Sequence, residues 1–353
     1  MGVNEERVLA SDAITDEPEI DRQLRPRRLD DFVGQQQVRE QLEILIDAAR
    51  SRGEPIEHLL LSGPPGLGKT TLANIVAAET GVNLRVTSGP AIEFQGALAS
   101  LLTSLAEGDV LFIDEVHRLQ RTVEESLYPA MEEFSFDFVS GKGVGAQALR
   151  IPLQHFTVIG ATTMVGMISA PLRDRFGATF RLEFYSREEL ATIVARSAGL
   201  LQVPIEDEAV GLLAARSRGT PRVANRLLRR VRDYAQVRGD GTVSAAVAGE
   251  ALRLLEVDTE GLDASDRRLL RLICEQFGGG PVGLGTLGAA LAEEPHTIEE
   301  VLEPYLIQLG LLARTPRGRV ATAGAYRHLG LGVPARAPGA EIAQPAELFV
   351  GED

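Results

Sequence analysis

"HLLLSGPPGLGKTT" occupies residues 58–71 and joins an apolar run to a glycine- and proline-rich loop that ends in lysine and threonine. The apolar half indicates a buried strand, and the loop fits the pattern GxxxxGK(S/T). Glycines let backbone N–H groups turn inward around a phosphate, and the start of a helix adds favourable partial charge there. The stretch therefore predicts a strand, a phosphate-binding loop and a helix over 69–80 that Gly81 closes.

The lysine and the hydroxyl that follow the loop decide its chemistry. Lys69 is expected to reach the β- and γ-phosphates of a nucleotide, and Thr70 is expected to ligate Mg²⁺. The same residues could form a plain turn before a core helix, but a strand on one side and a helix on the other favour a nucleotide site. ATP and Mg²⁺ are therefore the expected cofactors.

Two acids follow a second apolar strand, in "VLFIDE" at 110–115. Open parallel sheets bind ligands at the carboxyl ends of their strands. Asp114 is suited to hold the metal, and Glu115 is suited to orient or activate the attacking water. Acids at this place could simply mark the end of a strand, but with the phosphate-binding loop upstream they predict phosphoryl transfer from ATP to water.

A third element is "APLRDRFG" at 170–177, where two arginines flank Asp174. An arginine that a neighbouring subunit supplies can stabilise the charge on a transferring γ-phosphate. The alternative for this stretch is a surface Arg–Asp pair, which contributes little to stability.

Strands and helices alternate through the first half of the chain. Apolar runs at 109–114 and 156–161 predict two further strands, and a helical face covers 36–50. This alternation predicts an α/β fold with a parallel sheet. We assign it to a large ATPase domain at 21–184, after a polar, acidic segment at 1–20 that is predicted to be disordered.

The strand signal fades over 185–258, which we assign to a small helical domain. Ser186 and Glu189 have the spacing of a capping box at the start of its first helix. A second helix is expected over 220–239, where a proline occupies the first helical position.

The last folded part, 259–333, has the pattern of a winged helix. Thr297 and Glu300 are expected to form a capping box on its third helix. A Pro/Ala/Gly-rich tail at 334–353 is predicted to be disordered. The helical patterns lie at 265–277, 286–293 and 297–309, and they are followed by two short strands around "PRGR".

Composition excludes several classes of protein. A formal net charge of −14 argues against a general nucleic-acid coat, although a local basic contact is still allowed. One cysteine, Cys274, rules out an intramolecular disulfide and a cysteine-rich zinc site. The chain shows no signal-peptide pattern and no apolar run long enough to span a bilayer, so we expect a cytoplasmic protein with no membrane partner.

"RTPRGRVAT" at 314–322 places three arginines within six residues of this acidic chain. Two short strands can pair around Pro316–Gly318, which would make Arg314 and Arg319 neighbours across a hairpin. Acids at the start of the preceding helix would repel phosphates, so the hairpin is the better candidate for contact with a DNA backbone. Contacts of that kind position a protein without reading bases. A solvated hairpin is the alternative that these residues leave open.

The assembled motifs resemble the AAA+ ATPases and, more closely, the RuvB family of bacterial Holliday-junction branch-migration motors. The resemblance covers nearly everything from about residue 21 to residue 330. It is carried by "LRPRRLDDFVGQ" (24–35), "GPPGLGKTTLANIVAAE" (63–79), "LFIDEVHRL" (111–119), "LYPAMEEF" (127–134), "IGATT" (159–163), "APLRDRFG" (170–177), "RLEFYS" (181–186), "GTPRVANRLLRRVRDYA" (219–235) and "EPYLIQLGLLARTPRGRVAT" (303–322).

The resemblance implies a role for individual residues. Thr163 would sense the γ-phosphate, Arg175 would be the arginine supplied in trans, and Arg222 would be a second sensor. Arg314 and Arg319 would contact DNA phosphates. The residues implied to hold the adenine are Leu24, Arg25 and Tyr185. The residues implied to hold the phosphates and Mg²⁺ are Gly66, Lys69, Thr70, Thr71 and Asp114. The residues implied to contact nucleotide across subunits are Glu132, Glu133 and Phe134.

The family is expected to work as homohexameric rings around duplex DNA, with RuvA as the junction-binding partner and RuvC as the resolvase, in recombination and repair.

Departures from the family pattern fall outside the nucleotide chemistry: Met164–Val165 after "GATT", Phe94–Gln95, Pro295, and the segment 140–156, where the family has a hairpin that docks RuvA. These differences bear on partner docking and on one DNA contact.

Three other readings share parts of this pattern. A clamp-loader ATPase would carry a helical collar in place of the winged helix. A protein-remodelling chaperone would use an aromatic pore loop, for which Phe94–Gly96 lacks the hydrophobic middle residue. A non-catalytic winged-helix regulator would not need Lys69, Asp114, Glu115 and Arg175 together.

Overall fold

A five-stranded parallel sheet organises the first part of the chain. The structure, a computed structural model, describes residues 23–140 and 147–334. Within that range, one compact unit contains 23–193 with Thr220–Arg222, and a second contains Val194–Gly219 with 223–334. None of the helices that the structure describes is long and apolar enough to cross a membrane. The two predicted disordered ends, 1–20 and the tail beyond residue 334, lie outside the described residues.

Strands and helices alternate in the first unit, as the sequence predicts, and the helix over 69–80 is confirmed with Gly81 as its C-cap. The strands are β1 (Leu59–Ser62), β2 (Leu84–Ser88), β3 (Val110–Asp114), β4 (Ser135–Ser140), β5 (Gln147–Pro152), β6 (Thr157–Thr162) and β7 (Ala178–Arg181). The helices are α1 (Gln36–Arg52), α2 (Lys69–Thr80), α3 (Gln95–Thr103), α4 (Arg121–Glu133), α5 (Ala170–Arg173) and the start of α6 (Arg187–Leu200).

The sheet has the order β2-β3-β6-β1-β7, with all neighbours parallel. The central strands β1 and β6 are buried along their whole length. Parallel strands that are covered on both faces have continuous apolar runs, which is why β1, β3 and β6 could be predicted. The edge strands β2 and β7 were not predicted, because exposed residues interrupt their apolar pattern.

An antiparallel hairpin of β4 and β5 lies between α4 and β6; the family resemblance implied a hairpin in this area, but no strand was assigned there from the residue pattern. Phe138 on β4 pairs with Leu149 on β5, and both side chains are exposed. Residues 141–146, which separate the two strands in the sequence, lie outside the described residues. The hairpin therefore presents an exposed apolar pair, of which Leu149 lies in the segment 140–156 that departs from the family pattern and Phe138 lies just before it.

Helix α6 begins in the first unit and continues into the second, which is helical and ends in a winged helix. The predicted capping box at the start of α6 is confirmed: Ser186 N–H donates to Glu189 Oε2 at 2.7 Å, and Glu189 N–H donates to Ser186 Oγ at 3.1 Å. The further helices are α7 (Asp207–Ala215), α8 (Pro221–Arg238), α9 (Ala245–Leu254), α10 (Ala264–Arg271, continued by the π-helical turn Leu272–Gln276), α11 (Leu284–Leu291), α12 (three consecutive segments, Pro295–Thr297, Ile298–Leu302 and Glu303–Gln308) and α13 (Ala323–His328); the strands are β8 (Leu312–Thr315) and β9 (Gly318–Ala321).

The predicted capping box of Thr297 and Glu300 is wrong. Helix α12 begins at Pro295 with Glu294 as its N-cap, so Thr297 already lies inside the helix. Proline favours the first helical position, since its fixed φ suits the helix and its missing N–H would have no partner there. The helix therefore starts two residues before the expected Thr297.

The winged helix has its own hydrophobic core, built from α10 to α13 and the two strands. Its members include the single cysteine, Cys274, which lies buried in the π-helical turn after α10. Burial raises the pKa of the Cys274 thiol to about 11. This cysteine is therefore a packed core residue and a poor nucleophile near neutral pH.

A buried ionic cluster joins the loop before α8 to the start of α10. Arg218 donates from Nε to the carbonyl oxygen of Gly261 at 2.8 Å and pairs with the carboxylates of Asp263 and Asp266. Asp266 N–H in turn donates to Asp263 Oδ1, within a capping box on α10. Within the second unit, this buried cluster is thus one of the charged contacts between the small helical domain and the winged helix; Arg267 and His328 also pair with Asp258.

Inside the first unit, a partly buried histidine, His58, makes stability depend on pH. His58 Nδ1 accepts a hydrogen bond from Val158 N–H at 2.9 Å, and Nε2 lies 3.0 Å from the carbonyl oxygen of Met131. Burial lowers the pKa of His58, although the bond to Met131 opposes this shift. Protonating Nδ1 would remove the acceptor that Val158 uses.

The sign of the effect follows from linkage. The unfolded chain takes up a proton on His58 at a higher pH than the folded chain does, so stability falls as pH drops below about 6.5. We expect His58→Gln to be less stable than the parent at about pH 7.5. We also expect its melting temperature to fall less than that of the parent between about pH 7.5 and pH 5.5. An equal fall in melting temperature between these two pH values for the parent and for His58→Gln would contradict this assignment.

Candidate functional site

The phosphate-binding loop runs from the end of β1 to the start of α2, at the carboxyl edge of the sheet. Gly66 has φ +82° and Gly68 has φ +104°, a region that L-residues rarely adopt. A Cβ at Gly66 would lie 3.2 Å from Cβ of Arg222, and a Cβ at Gly68 would lie 3.2 Å from the ring of Phe32. Both glycines are thus required by conformation and by close neighbours.

Lys69 is the first residue of α2, and only 7% of it is exposed. Its Nζ donates to the carbonyl oxygens of Gly63 and Pro64 at 2.7 and 2.9 Å. These bonds keep the ammonium group at the loop, where phosphates meet the N-terminus of a helix. Thr70 and Thr71 follow in the first turn of α2 and are half-buried.

Asp114 is the last residue of β3, and it pairs in register with Ser88 of β2. Burial raises the pKa of its carboxyl group, and the positive charges of Lys69 and Arg222 oppose that rise. The positive charges of Lys69 and Arg222 thus favour the ionised form of Asp114, the carboxyl group that is expected to hold the metal. Thr70 and Asp114 supply the hydroxyl and carboxylate oxygens that Mg²⁺ prefers, so the residues fit this ion.

Glu115 follows directly in a left-handed conformation with φ +48°, which is uncommon for a residue other than glycine. Its backbone N–H donates to Asp114 Oδ1 at 3.0 Å. Thr163, after the end of β6, donates from Oγ1 to Glu115 Oε2 at 3.3 Å. The structure therefore brings three of the predicted site residues, Asp114, Glu115 and Thr163, into one group.

One of the residues implied to hold the adenine, Tyr185, lies beside the loop. Tyr185 is buried and donates from its hydroxyl to the carbonyl oxygen of Leu67 at 3.1 Å. Burial raises its pKa, so the hydroxyl stays protonated. Leu24 is buried and Arg25 is half-buried. Phe32, which packs on Gly68, was missed, although it lies within the quoted stretch 24–35.

Arg222 also reaches the loop. Its backbone N–H donates to the carbonyl oxygen of Gly66 at 3.4 Å, and its charge acts on Asp114. The sequence placed this arginine at the start of a helix, and α8 does begin one residue earlier, at Pro221. Arg222 thus lies beside the phosphate-binding loop, and its role as a second sensor stays a prediction.

A separate group surrounds Arg175. Its Nη2 donates to Glu132 Oε2 at 3.1 Å, its Nη1 donates to the carbonyl oxygen of Pro171 at 2.6 Å, and its guanidinium lies 4.3 Å from the ring centre of Tyr128. Glu132 is one of the residues implied to act across subunits. Arg175 and Glu132, 43 positions apart in sequence, therefore contact each other.

The other two residues of that set continue the same chain segment. Glu133 pairs with Arg150 of the β4–β5 hairpin. Phe134 has φ +49° and stacks on His155, with ring centres 4.1 Å apart. Arg175, Glu132, Glu133 and Phe134 thus lie at the end of α4 and after α5, each held by a neighbour.

The predicted neighbours Arg314 and Arg319 do face each other across the β8–β9 hairpin. Both guanidinium groups contact Glu303 of α12, whose side chain is 0% exposed, and both also approach Glu299. Arg314 remains 47% exposed, whereas Arg319 is only 12% exposed. The acids of α12 are therefore ion-pair partners of the hairpin, a contact the sequence analysis did not anticipate.

Arg317, the third arginine of this stretch, lies in the turn between β8 and β9 and is exposed. It was not singled out from the sequence. Its position at the tip of the hairpin distinguishes it from the other two.

Comparisons with known proteins match this combination of domains along almost the whole described chain. A family model described as the Holliday junction DNA helicase RuvB P-loop domain covers residues 24–182. A RuvB AAA lid domain covers 185–258, and a RuvB C-terminal winged helix domain covers 259–330. The chain belongs to the RuvB family.

Relatives and solved structures agree. The chain is 57% identical over 331 residues to the Holliday junction branch migration complex subunit RuvB of Dehalococcoides mccartyi, covering 94% of this chain and 95% of that protein. The Thermotoga maritima RuvB Holliday junction branch migration motor superposes with a TM-score of 0.81 at 50% identity, covering 88% of this chain and 100% of that one. A single-residue mutant of Thermotoga maritima RuvB gives a TM-score of 0.82 at 50% identity, over 88% and 99% of the two chains.

As a RuvB-family member, the chain is an AAA+ P-loop ATPase, and the α/β, lid and winged-helix classes predicted from the sequence are confirmed. The residues expected to act on ATP, which are Lys69, Asp114, Glu115 and Thr163, lie at or after the carboxyl ends of strands, the edge at which parallel sheets bind ligands. The alternative of a clamp loader is excluded by the winged-helix match.

Proposed function

We propose that this chain is an ATP-driven motor that moves along duplex DNA and drives branch migration of Holliday junctions, in recombination and repair. The observation that carries the proposal is that a complete hydrolytic group, with Asp114, Glu115 and Thr163 in contact, occurs in one chain with a winged helix of the RuvB type. We place this function in the cytoplasm. The proposed partners are a RuvA-type junction-binding protein and a RuvC-type resolvase.

In the proposed mechanism, the backbone N–H groups of the loop and Lys69 bind the phosphates. Mg²⁺, when bound by Thr70 and Asp114, would offset the negative charge of the phosphates. Glu115 orients the attacking water and accepts its proton, while Thr163 fixes the Glu115 carboxylate through the bond seen here. Arg222 adds positive charge from the start of α8. Leu24, Arg25 and Tyr185 hold the adenine.

The arginine group supports a homohexameric ring. Arg175 is stacked on Tyr128 and paired with Glu132, so its guanidinium is held in place on the surface. We propose that it enters the nucleotide site of the next subunit together with Glu132, Glu133 and Phe134. Such an arginine is worth about 10³- to 10⁵-fold in rate in related phosphoryl transfers.

The hairpin of β4 and β5 supports docking of a RuvA-type partner. Phe138 and Leu149 form an exposed cross-strand pair, an arrangement that suits an apolar contact with another protein. We propose this pair as the docking point, despite the difference of the segment from the family pattern.

The β8–β9 hairpin is the proposed DNA contact, through Arg314 and Arg319. A guanidinium group has five N–H donors, so an arginine that is paired with a carboxylate keeps donors for a phosphate. Glu303 fixes both groups, and the greater exposure of Arg314 makes it the main contact. Contacts of this kind would suit a motor that must follow any sequence.

The test is ATP hydrolysis with and without a synthetic four-way junction, for the parent, Arg314→Ala and Arg327→Ala, each alone and with a RuvA-type protein. Arg327 is an exposed arginine on α13 of the same domain and serves as the matched control. We expect junction DNA to stimulate the parent and Arg327→Ala, and to stimulate Arg314→Ala much less, with turnover without DNA unchanged. In a plot of the logarithm of the DNA-binding constant against the logarithm of salt concentration, the slope should become shallower by about 0.9 for each phosphate contact that is removed.

Hydrolysis that no DNA changes in any condition would overturn the motor proposal. In that case, stimulation by unfolded peptide would favour a protein-remodelling activity, for which exposed Phe94 before α3 would be the contact to test.

A further inference from the structure

A buried histidine beside the hydrolytic group has no role in the mechanism above. His117 lies two residues after Glu115, in the 3-10 turn Val116–Arg118 that follows β3. Its side chain is only 1% exposed. The turn thus places the His117 imidazole next to the carboxylate of Glu115, the acid that is proposed to orient water.

One ring nitrogen makes both contacts of interest. His117 Nδ1 lies 2.9 Å from Thr162 Oγ1 and 3.3 Å from Glu115 Oε2. An ionised carboxylate can only accept hydrogen bonds, so the Glu115 contact requires the proton on Nδ1. The Nδ1–H group then lies between the Glu115 carboxylate and the Thr162 hydroxyl.

Thr162 is itself fixed. It is the last residue of β6, it is fully buried, and its Oγ1 accepts a hydrogen bond from Met164 N–H at 3.0 Å. The neighbouring Thr163 approaches the same carboxylate oxygen, Glu115 Oε2, at 3.3 Å. The end of β6 therefore acts on Glu115 twice, directly through Thr163 and indirectly through His117.

The backbone of Glu115 explains why such support is needed. Its left-handed φ of +48° is a conformation that surrounding contacts must maintain. A carboxylate that orients water contributes most when its own position is fixed before the reaction, because small displacements cost rate.

We propose that His117 is a positioning residue for ATP hydrolysis, which holds the Glu115 carboxylate through Nδ1 and ties it to the end of β6. The proposal rests on the role of Glu115 proposed above. It differs from the simpler view of His117 as a core histidine, since that view assigns no importance to which ring nitrogen makes the contacts.

Two amide substitutions separate these views. Asparagine places its amide near the position of Nδ1, whereas the longer glutamine places it near Nε2. We expect His117→Asn to keep kcat within a few-fold of the parent. We expect His117→Gln and His117→Ala to lose about 10-fold or more in kcat, which is less than the roughly 10²- to 10⁴-fold that a general base supplies. The KM for ATP and the affinity for a non-hydrolysable ATP analogue should stay unchanged in all three variants.

Glu115→Gln is measured beside them, with melting temperatures for every variant. If Glu115→Gln still hydrolyses ATP at the parent rate, the role of Glu115 itself is wrong. If Glu115→Gln is inactive but His117→Gln and His117→Ala match the parent, only the His117 proposal is overturned. Losses that are equal in the asparagine and glutamine variants and follow their melting temperatures would also overturn it, because they would indicate packing alone.

Discussion

Lys69→Ala is expected to lower ATP hydrolysis by at least about 100-fold, the order found when a preorganised group that stabilises a transition state is removed. Lys69 is held at the phosphate-binding loop by two carbonyl oxygens, and no other ammonium group of the described chain could replace it, since the chain has only one further lysine, at 142. Turnover with saturating Mg²⁺ and ATP measures the loss, and equilibrium binding of a fluorescent ATP analogue shows how much of it is affinity.

Lys142→Ala is the matched control, because it removes the only other lysine, which lies outside the described residues. It should hydrolyse ATP at the parent rate. Appreciable turnover by Lys69→Ala, at more than about a tenth of the parent rate, would mean that the loop binds phosphates without its lysine, contrary to the general chemistry of such loops.

Glu303→Ala is expected to destabilise the winged helix by about 3–5 kcal/mol, as when one partner of a buried ion pair is removed. Glu303 is fully buried and accepts from Arg314 Nη2 at 2.6 Å and from Arg319 Nε at 2.5 Å. Without Glu303, the largely buried Arg319 would keep only one ion-pair partner among the described residues, Glu299, whose Oε1 lies 3.5 Å from Arg319 Nη2. Hydrogen exchange of amides in β8, β9 and α12 measures the effect in that domain alone.

Arg317→Ala is the control, since Arg317 is an exposed residue of the same hairpin. Surface changes of this type usually alter stability by less than about 0.5 kcal/mol. The expected pattern is fast exchange in the winged helix of Glu303→Ala, with unchanged exchange in the parallel sheet of the other unit. Unchanged exchange in both variants would show that the ion pairs contribute nothing to the fold of the hairpin.

The sequence predicts best where one physical cause acts alone. The strands β1, β3 and β6 are continuous apolar runs because they are buried on both faces, and the capping box of Ser186 and Glu189 depends only on neighbours in sequence. The edge strands β2 and β7 alternate too little to be recognised, since exposed residues interrupt them. The β4–β5 hairpin does alternate apolar and polar residues, as in "SFDF" at 135–138 and "LRI" at 149–151, but these runs span only three or four residues each and were not assigned as strands.

Long-range contacts were harder to predict. The sequence placed Arg314 next to Arg319, because the hairpin sets that register. It treated the acids of α12 as a face that repels phosphates, whereas Glu303 turns inward and binds both arginines. The same limit applies to the hydrolytic site: Asp114 and Glu115 follow from their motif, but the contact of His117 with Thr162 joins residues 45 positions apart.

The single thiol gives the winged helix an internal reporter. Cys274 is buried in the core of that domain, and no other cysteine occurs in the chain. A thiol reagent can react there only when the domain opens, and its rate at low reagent concentration then measures the free energy of that opening. Opening of this one domain could therefore be followed in the whole protein, during ATP turnover and on DNA, without adding a label or removing another residue.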